Sequence, residues 1–199
     1  MPELPEVVVT LQGVLPFILG KKVSRVIVRN PNLRWPVPKN LPILLCDNLL
    51  QSARQRAKYM LFKFTNGHMM IHLGMSGNLK ILQKHAPPEK HDHVDIIFSD
   101  EVILRYSDPR RFGSILWVNG DPSAHKLLVH LGPEPFSPAF DGNYLYSSSR
   151  GKTTTVKQFL MDNKILVGVG NIYANESLFL SGIRPKKSIG RIPLRVYKI

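Results

Sequence analysis

The stretch Met1-Pro2-Glu3-Leu4-Pro5-Glu6 opens the chain and begins its first predicted helix. Proline fits the first turn of a helix, and a glutamate there complements the helix dipole. Apolar residues continue with helical spacing as far as a stop signal at Gly20; they are Val8, Leu11, Leu15 and Leu19. Pro16 predicts a kink or an early end to this helix.

The same stretch has a chemical interpretation. Once Met1 is removed, Pro2 carries an N-terminal secondary amine, which can attack a carbonyl-like carbon and form an iminium, as lysine does. An unperturbed α-amino group has a pKa of about 7.7–8.0, so part of it is neutral at physiological pH. Glu3 supplies a carboxylate that can transfer protons in the same step. These residues alone do not decide between a helix start and a catalytic nucleophile.

The charge of the chain favours a polyanionic partner. Its 199 residues contain 27 Lys and Arg but 14 Asp and Glu, which gives a net charge of +13 and an isoelectric point near 10.0. Such an excess attracts phosphates and releases their counterions. Charge alone also suits a ribosome-like or merely basic protein. The hydrophobic content of 43% is sufficient for a packed core.

The single cysteine, Cys46, excludes an intrachain disulfide and a site with several cysteine ligands. The sequence contains no run of eighteen apolar residues and no signal-peptide pattern at its start. We therefore expect a soluble, cytoplasmic protein that does not associate with a membrane.

Short runs typical of β-strands follow the first helix and are separated by turn residues. They are residues 23–28, 60–64, 69–73, 79–82, 94–98, 102–106 and 114–118. One helix followed by several short strands predicts a β-sandwich or a barrel. A proline-rich linker at 132–138 marks a boundary, and helices are predicted at 154–161 and 171–180 around a glycine turn at 167–170. The stretch after Ser177 is basic, without acidic residues, and indicates a tail.

Several separated motifs together resemble the bacterial formamidopyrimidine-DNA glycosylases, over residues 1 to about 185. They are PELPEV (2–7), RQRAKY (54–59), HLGMSG (72–77), EKHDHVD (89–95), SDPRRFG (107–113), LGPEP (131–135) and GVGNIYANE (168–176). The leading PELPE is more similar to the branch that acts on oxidised purines than to the endonuclease-VIII branch. The resemblance implies an α+β fold: an N-terminal helix on a two-layer antiparallel β-sandwich, then a partial helix–two-turn–helix domain.

The resemblance implies a bifunctional glycosylase and lyase of base-excision repair. Its expected substrates are 8-oxoguanine and formamidopyrimidines in double-stranded DNA. The amine of Pro2 is expected to attack the sugar C1′, and Glu3 to act as the general acid. Lys58, on a β-strand edge, is expected to donate a proton in β-elimination; a lysine in a cationic groove is otherwise a phosphate contact. A subsequent δ-elimination is left open.

A base inside a duplex must be flipped out before it can react, and the gap must be filled. The resemblance implies that Met75, Arg110 and Phe112 are the intercalating residues. An apolar wedge beside an arginine that hydrogen-bonds the orphaned base suits this task. Without the resemblance, Met75 and Phe112 would be expected in the core, although glycines around Met75 favour an exposed turn.

The expected DNA-binding positions are His72, His91, Arg110, Lys152 and Asn171. Asn171 follows a glycine turn at a predicted helix start, where backbone amides suit a phosphate; an ordinary N-cap role is compatible with this. His91-Asp92-His93, with His85 nearby, also resembles a metal cluster with both rings of the His-x-His pair on one strand face. We expect no metal there, because a stable site needs further ligands.

Relatives in this family continue into a C-terminal zinc finger, which holds one zinc ion with paired cysteines and carries an arginine for δ-elimination. The only cysteine here is Cys46, so we expect no cofactor in this chain and an apparent C-terminal truncation. The apolar faces of the two last helices, including Phe159, Leu178 and Phe179, are then expected to lack cover.

The expected organisation is a catalytic β-sandwich domain at 1–131, a linker at 132–142, a partial helix–two-turn–helix DNA-binding domain at 143–185 and a basic divergent tail at 186–199. The protein is expected to be a monomer associated with a bacterial nucleoid. The alternative is a catalytically inactive fragment that binds damaged or undamaged DNA through its charge.

Overall fold

The computed structural model describes residues 2–83 and 86–197, and the chain divides into two units, residues 1–125 and 126–199. The first unit begins with helix α1 (Leu4–Ile18) and also contains the short helix α2 (Leu41–Leu45). Its strands are β1 (Val23–Val28), β2 (Leu50–Arg56), β3 (Tyr59–Phe64), β4 (Gly67–His72), β5 (Asn78–Leu82), β6 (Asp92–Phe98), β7 (Ile103–Ser107) and β8 (Ser114–Val118). A 3₁₀ turn at Pro122–Ala124 follows.

The strands form two four-stranded antiparallel sheets, in the orders β1-β6-β7-β5 and β2-β3-β4-β8. A single apolar core draws on both sheets and on α1, and includes Val14, Phe62, Phe98 and Tyr106. The sandwich is therefore the arrangement adopted, and the barrel alternative is wrong.

Helix α1 buries a different stripe from the one predicted. The buried side chains are Leu4, Val7, Leu11, Val14 and Ile18, whereas Leu19 is exposed. Val8 and Leu15 are only half-buried. Pro16 lies inside the last turn, and the helix continues to Ile18. A proline in a helix lacks the N–H of one internal hydrogen bond. Here the helix ends two residues after Pro16, at Ile18.

Two buried aspartates and an arginine stabilise the β1-β6-β7-β5 sheet. Arg105 on β7 donates to Asp95 on β6 through Nε at 2.8 Å and Nη2 at 2.9 Å, and to Asp92 through Nη1 at 3.2 Å. Arg29 donates a further hydrogen bond to Asp95 at 2.6 Å. Arg105 also donates to the carbonyls of Ala86 and Pro87. The segment that leads to His91 is thereby attached to the sheet.

The second unit contains α3 (Gly142–Ser149), α4 (Val156–Leu160) and α5 (Asn171–Leu180), followed by 3₁₀ turns at Ile189–Arg191 and Leu194–Val196. Its core consists of Val156, Phe159, Leu178, Ile189 and Ile192. Phe159 and Leu178 are buried, contrary to the expectation that they lack cover, whereas Phe179 is 82% exposed.

The segment expected to be a tail packs into this core. Ile189 and Ile192 are buried, and residues 154–156 are bonded to this segment through Val156 N–H to the Lys187 carbonyl at 2.8 Å and Ile189 N–H to the Thr154 carbonyl at 3.0 Å. Isoleucines in short 3₁₀ turns show no helical periodicity, so the sequence pattern does not reveal their burial.

Candidate active site and nucleic-acid interface

The N-terminus of α1 holds the first two predicted site residues. Pro2 is half-buried, and Glu3, the N-cap residue, is only 1% exposed. The backbone N–H of Glu3 donates to the Glu6 carboxylate at 2.8 Å as one half of a capping box. This box fixes the direction in which the chain enters the helix, and with it the position of Pro2 and Glu3.

Lys58 lies in the two-residue turn between β2 and β3, not on a strand as predicted. Ala57, the first turn residue, has a φ of 52°, the left-handed region that the first position of a type II′ hairpin requires. Burial lowers the pKa of the Lys58 ammonium, and the negative charges of Glu3 and Glu6 oppose this shift. Lys58 and the start of α1 therefore share one electrostatic environment.

His72 ends β4 directly opposite Tyr59 on β3, and the centroids of the two rings are 4.7 Å apart. Burial, followed by the positive charges of Lys58 and Arg34, lowers the pKa of His72 to about 4. The Nδ1 atom accepts a hydrogen bond from the Gly74 backbone N–H at 2.9 Å. The imidazole is thus neutral near pH 7, with its proton on Nε2. His72 can act as a hydrogen-bond donor here but not as a cation.

Arg34 was not identified from the sequence. Its side chain is exposed, its backbone N–H donates to the Gly113 carbonyl at 3.1 Å, and its charge lowers the pKa of His72. Burial raises the pKa of Tyr59, and the positive charge of Arg34 opposes that shift. Arg34 lies in a loop without periodic signal, so only the three-dimensional structure places this cation beside Tyr59 and His72.

The three predicted intercalating residues project from two loops, residues 73–77 and 108–113. Met75 is 40% exposed and Phe112 is 46% exposed. Arg110 is exposed as well, and its guanidinium carbon lies 4.9 Å from the centroid of the Phe112 ring. Neither apolar side chain belongs to the core, so the interpretation of Met75 and Phe112 as core residues is wrong.

Glycines allow the two loops to approach each other closely. Gly74 has a φ of 62°, and a Cβ atom there would collide with the backbone of Phe112 and Gly113. Gly77 N–H donates to the Leu73 carbonyl at 2.7 Å, which closes the first loop into a tight turn. The glycines on either side of Met75 therefore bring its loop against the loop that carries Arg110 and Phe112.

The two histidines of the His-x-His pair occupy different environments. His91 is exposed and precedes β6, whereas His93 is buried with Nε2 at 2.8 Å from the Asp108 carbonyl oxygen. The expectation that both rings share one strand face is therefore wrong, because the strand begins only at Asp92 and is irregular between Asp92 and Val94. His85 lies outside the described residues.

The zinc ion that the resemblance implies for longer members of the family would need paired cysteines, and Cys46 is the single cysteine of the chain. Cys46 is half-buried, and its Sγ lies 3.9 Å from the Ser24 carbonyl oxygen. Within residues 2–83 and 86–197, no group of three or more His, Cys, Asp or Glu is placed to hold a metal ion.

Lys152 and Asn171 belong to the second unit, where both are exposed. Lys152 follows α3, and its ammonium lies 6.0 Å from the centroid of the Phe159 ring. Asn171 is the first residue of the ten-residue helix α5, whose N-cap is Gly170 rather than Asn171. Its ordinary N-cap interpretation is therefore wrong, and the residue lies in the first helical turn, where the backbone N–H groups point outward.

None of the helices in the described part of the chain is both long enough and apolar enough to cross a membrane.

Two family models match the chain. The formamidopyrimidine-DNA glycosylase N-terminal domain matches residues 1–115, and the formamidopyrimidine-DNA glycosylase H2TH domain matches residues 131–198. The second match extends through the segment that was expected to resemble nothing in the family.

Relatives with the same family name cover nearly the whole chain. The formamidopyrimidine-DNA glycosylase of Cellvibrio japonicus is 54% identical over 96% of this chain and 71% of its own length. The enzyme of Saccharophagus degradans is 52% identical over the same shares of the two chains.

Solved structures with the same fold include two from Lactococcus lactis. Fpg in complex with DNA containing an abasic site has a TM-score of 0.90 and 28% identity, over 98% of this chain and 73% of that one. A mutant bound to DNA containing Fapy-dG has a TM-score of 0.92 and 29% identity, over the same shares. From the family models and the close relatives together, this chain belongs to the formamidopyrimidine-DNA glycosylase family.

Proposed function

We propose that this chain removes oxidised purines from double-stranded DNA and then nicks the strand at the resulting abasic site. The observation that carries the proposal is that Pro2 and the buried Glu3 stand at the start of α1, and that the charges of Glu3 and Glu6 act on Lys58 in the turn between β2 and β3. The names of the relatives and the DNA in the Lactococcus lactis complexes support the substrate class. The net charge of +13 supports a polyanionic partner.

Base removal begins at the secondary amine of Pro2 after Met1 has been cleaved off. The nitrogen attacks C1′ of the damaged nucleotide, and the bond from C1′ to the base breaks with its electron pair leaving on the base. The proton that the amine loses neutralises the departing base. Glu3, in its protonated form, gives a proton to the sugar ring oxygen as the C1′–O4′ bond breaks, and an iminium joins Pro2 to the opened sugar.

Strand nicking follows from the iminium, which makes the C2′ hydrogen acidic. Water takes up that proton, the electrons of the C2′–H bond form a C2′=C3′ double bond, and the 3′-phosphate leaves with the electron pair of the broken C3′–O bond. Burial lowers the pKa of Lys58, which makes its ammonium a better proton donor to the groups that leave in these steps. Water then hydrolyses the iminium and releases Pro2. We propose no metal or organic cofactor for this reaction.

Access to the base depends on Met75, Arg110 and Phe112, the exposed residues of the loops 73–77 and 108–113. An apolar wedge unstacks the neighbouring bases, and the guanidinium of Arg110 can hydrogen-bond the base left without its partner. Arg110 and His91 contact phosphates and thereby position the DNA backbone. His72, which is neutral, adds a hydrogen-bond donor through its Nε2–H group. In the second unit, Lys152 and Asn171 supply an exposed ammonium and a helix N-terminus.

Borohydride trapping tests the proposal on a duplex with one 8-oxoguanine, with the undamaged duplex of the same sequence as control. Removal of Met1 is verified first by mass spectrometry. We expect a covalent protein–DNA adduct and a nicked strand on the damaged duplex alone. If the processed chain binds the duplex in fluorescence anisotropy but yields neither adduct nor free base, the alternative of an inactive DNA-binding fragment replaces this proposal.

Two substitutions separate chemistry from binding. Pro2→Gly and Glu3→Gln are expected to abolish base release, because both residues serve the reacting sugar, while the affinity for undamaged duplex remains nearly unchanged. Lys152→Gln is the matched comparison, for which weaker binding is expected with the covalent step intact at saturating protein. Loss of duplex affinity in Glu3→Gln equal to its loss of activity contradicts the assigned roles.

A further inference from the structure

One serine hydroxyl joins the two loops that carry the proposed wedge residues. The Oγ of Ser76, in the loop 73–77, donates a hydrogen bond to Asp108 Oδ1 at 2.6 Å. The same Oγ accepts a hydrogen bond from the backbone N–H of Arg110 at 3.1 Å. Ser76 directly follows Met75, so the link connects the neighbour of one wedge residue to the backbone of another.

Asp108 is a fixed anchor for this link. Its side chain is fully buried, and its second oxygen, Oδ2, accepts from the Gly113 N–H at 2.8 Å and the Tyr106 hydroxyl at 3.2 Å. The Asp108 carbonyl oxygen also lies 2.8 Å from Nε2 of His93. A buried carboxylate is costly unless hydrogen bonds satisfy it. Here the Gly113 N–H and the Tyr106 hydroxyl satisfy Oδ2, which leaves Oδ1 to accept from Ser76.

We propose that Ser76 is a positioning residue for base extrusion, which it serves by locking Met75 and Arg110 in the separation needed to fill the gap in the duplex. This inference rests on the proposed function. Side chains held in place before binding lose less freedom when the gap is filled. Without the hydroxyl, Asp108 loses a donor and the Arg110 N–H loses its acceptor. The separation of Met75 and Arg110 is then no longer fixed by this link, while the residues at the start of α1 stay in place.

The test compares one lesion in two settings: 8-oxoguanine in a fully paired duplex, and the same lesion in an unpaired bubble of the same sequence. Only the paired lesion needs a wedge for its extrusion. We expect Ser76→Ala to slow single-turnover base release from the paired duplex about tenfold, the factor that corresponds to about 1.4 kcal/mol and that suits the loss of a hydrogen bond to a charged group. Release from the bubble should be unchanged, and Ser76→Thr, which keeps a hydroxyl, should restore the paired rate.

Two controls isolate the hydroxyl. Ser52→Ala removes an exposed serine on β2 and should change neither rate. Tyr106→Phe removes a donor to the other oxygen of Asp108 and leaves the Ser76 link in place. If Ser76→Ala does not fold, as judged by its thermal unfolding, Ser76→Cys keeps the volume with only a weak donor. The ratio of paired to bubble rates then decides in the same way.

Equal slowing on both substrates, or no slowing on either, overturns the inference. A wild-type chain that releases the base from neither substrate overturns the proposed function itself, and the inference with it. A wild-type chain that is active on both, next to an alanine variant with an unchanged ratio of rates, refutes only the role of Ser76.

Discussion

Replacement of Asp95 by asparagine tests the buried ion network of the β1-β6-β7-β5 sheet. Asp95 and Arg105 are both buried, and the carboxylate accepts two hydrogen bonds from Arg105 and one from Arg29. Removal of one partner from a buried ion pair typically costs about 3–5 kcal/mol, because the other charge remains buried. Asparagine keeps one acceptor oxygen and Asp92 still faces Arg105, so we expect a loss of about 3 kcal/mol at pH 7.

Such a loss is large against the total stability of a domain, which is about 5–15 kcal/mol. It is also pH-dependent. Although burial raises the pKa of the Asp95 carboxyl, hydrogen bonds from Arg105 and Arg29 outweigh burial and lower it. A carboxyl with a lowered pKa in the folded state contributes stability above its unfolded pKa of about 3.9, and that stability is lost as the pH falls through the folded pKa. The difference between wild type and Asp95→Asn should therefore shrink in acid.

Urea unfolding followed by tryptophan fluorescence measures this loss, because Trp35 and Trp117, the two tryptophans of the chain, lie in the first unit. Asp100→Asn is the matched control. Asp100 pairs with Lys21 at the surface, where an ion pair contributes about 0–1 kcal/mol. Equal free energies of unfolding for the two variants, or a difference that does not shrink in acid, would refute the assignment of stability to the buried network.

Three further outcomes follow from the structure. The imidazole of His72 should titrate in NMR with a midpoint near pH 4. The pKa of His72 in the unfolded chain is about 6.5, so its contribution to the free energy of unfolding is complete above that pH and is lost as the pH falls towards 4. A titration midpoint near 6.5 would contradict the burial of the imidazole. The logarithm of duplex affinity should fall with the logarithm of salt by about 0.9 per neutralised phosphate, so a flat response would separate the basic surface from DNA binding. Ile189→Ala should destabilise the second unit by about 2–5 kcal/mol and speed its limited proteolysis, whereas Phe179→Ala, at an exposed position, should not; equal cleavage would place Ile189 outside the core.

The strands of the sandwich could be predicted wherever their residues face the core. Strand β2 (Leu50–Arg56) was missed because Leu50 is its only buried residue and the rest of the strand is largely polar. It lies at the edge of its sheet, where polar and charged side chains hinder pairing with other chains. Its absence from the prediction also explains the misplacement of Lys58, since the turn that holds this residue exists only if β2 pairs with β3.

The candidate site was predictable where its chemistry is local. The amine of Pro2 and the carboxylate of Glu3 are adjacent in the chain, and the glycines around Met75 signal an exposed turn by themselves. Arg34 carries no such signal. It reaches His72 only because its loop is bonded to Gly113 and because β4 pairs with β8, which brings Gly113 next to the end of β4. Contacts between residues so far apart in the sequence leave no spacing pattern.

Contacts that leave no spacing pattern also occur in the second unit. There the segment expected to be a tail, residues 186–199, holds Lys152, a predicted DNA-binding residue. The guanidinium of Arg150 donates to the carbonyls of Gly190 at 2.8 Å and Ile192 at 3.0 Å. Gly190 packs directly against the Lys152 carbonyl, since a Cβ atom there would collide with it. Lys152 is thus held by residues 189–192, in which no periodicity reveals the burial of Ile189 and Ile192. The position of Lys152 depends on Ile189 and Ile192 remaining in the core. If Lys152 binds phosphate, a loss of stability in this unit should therefore weaken its affinity for DNA.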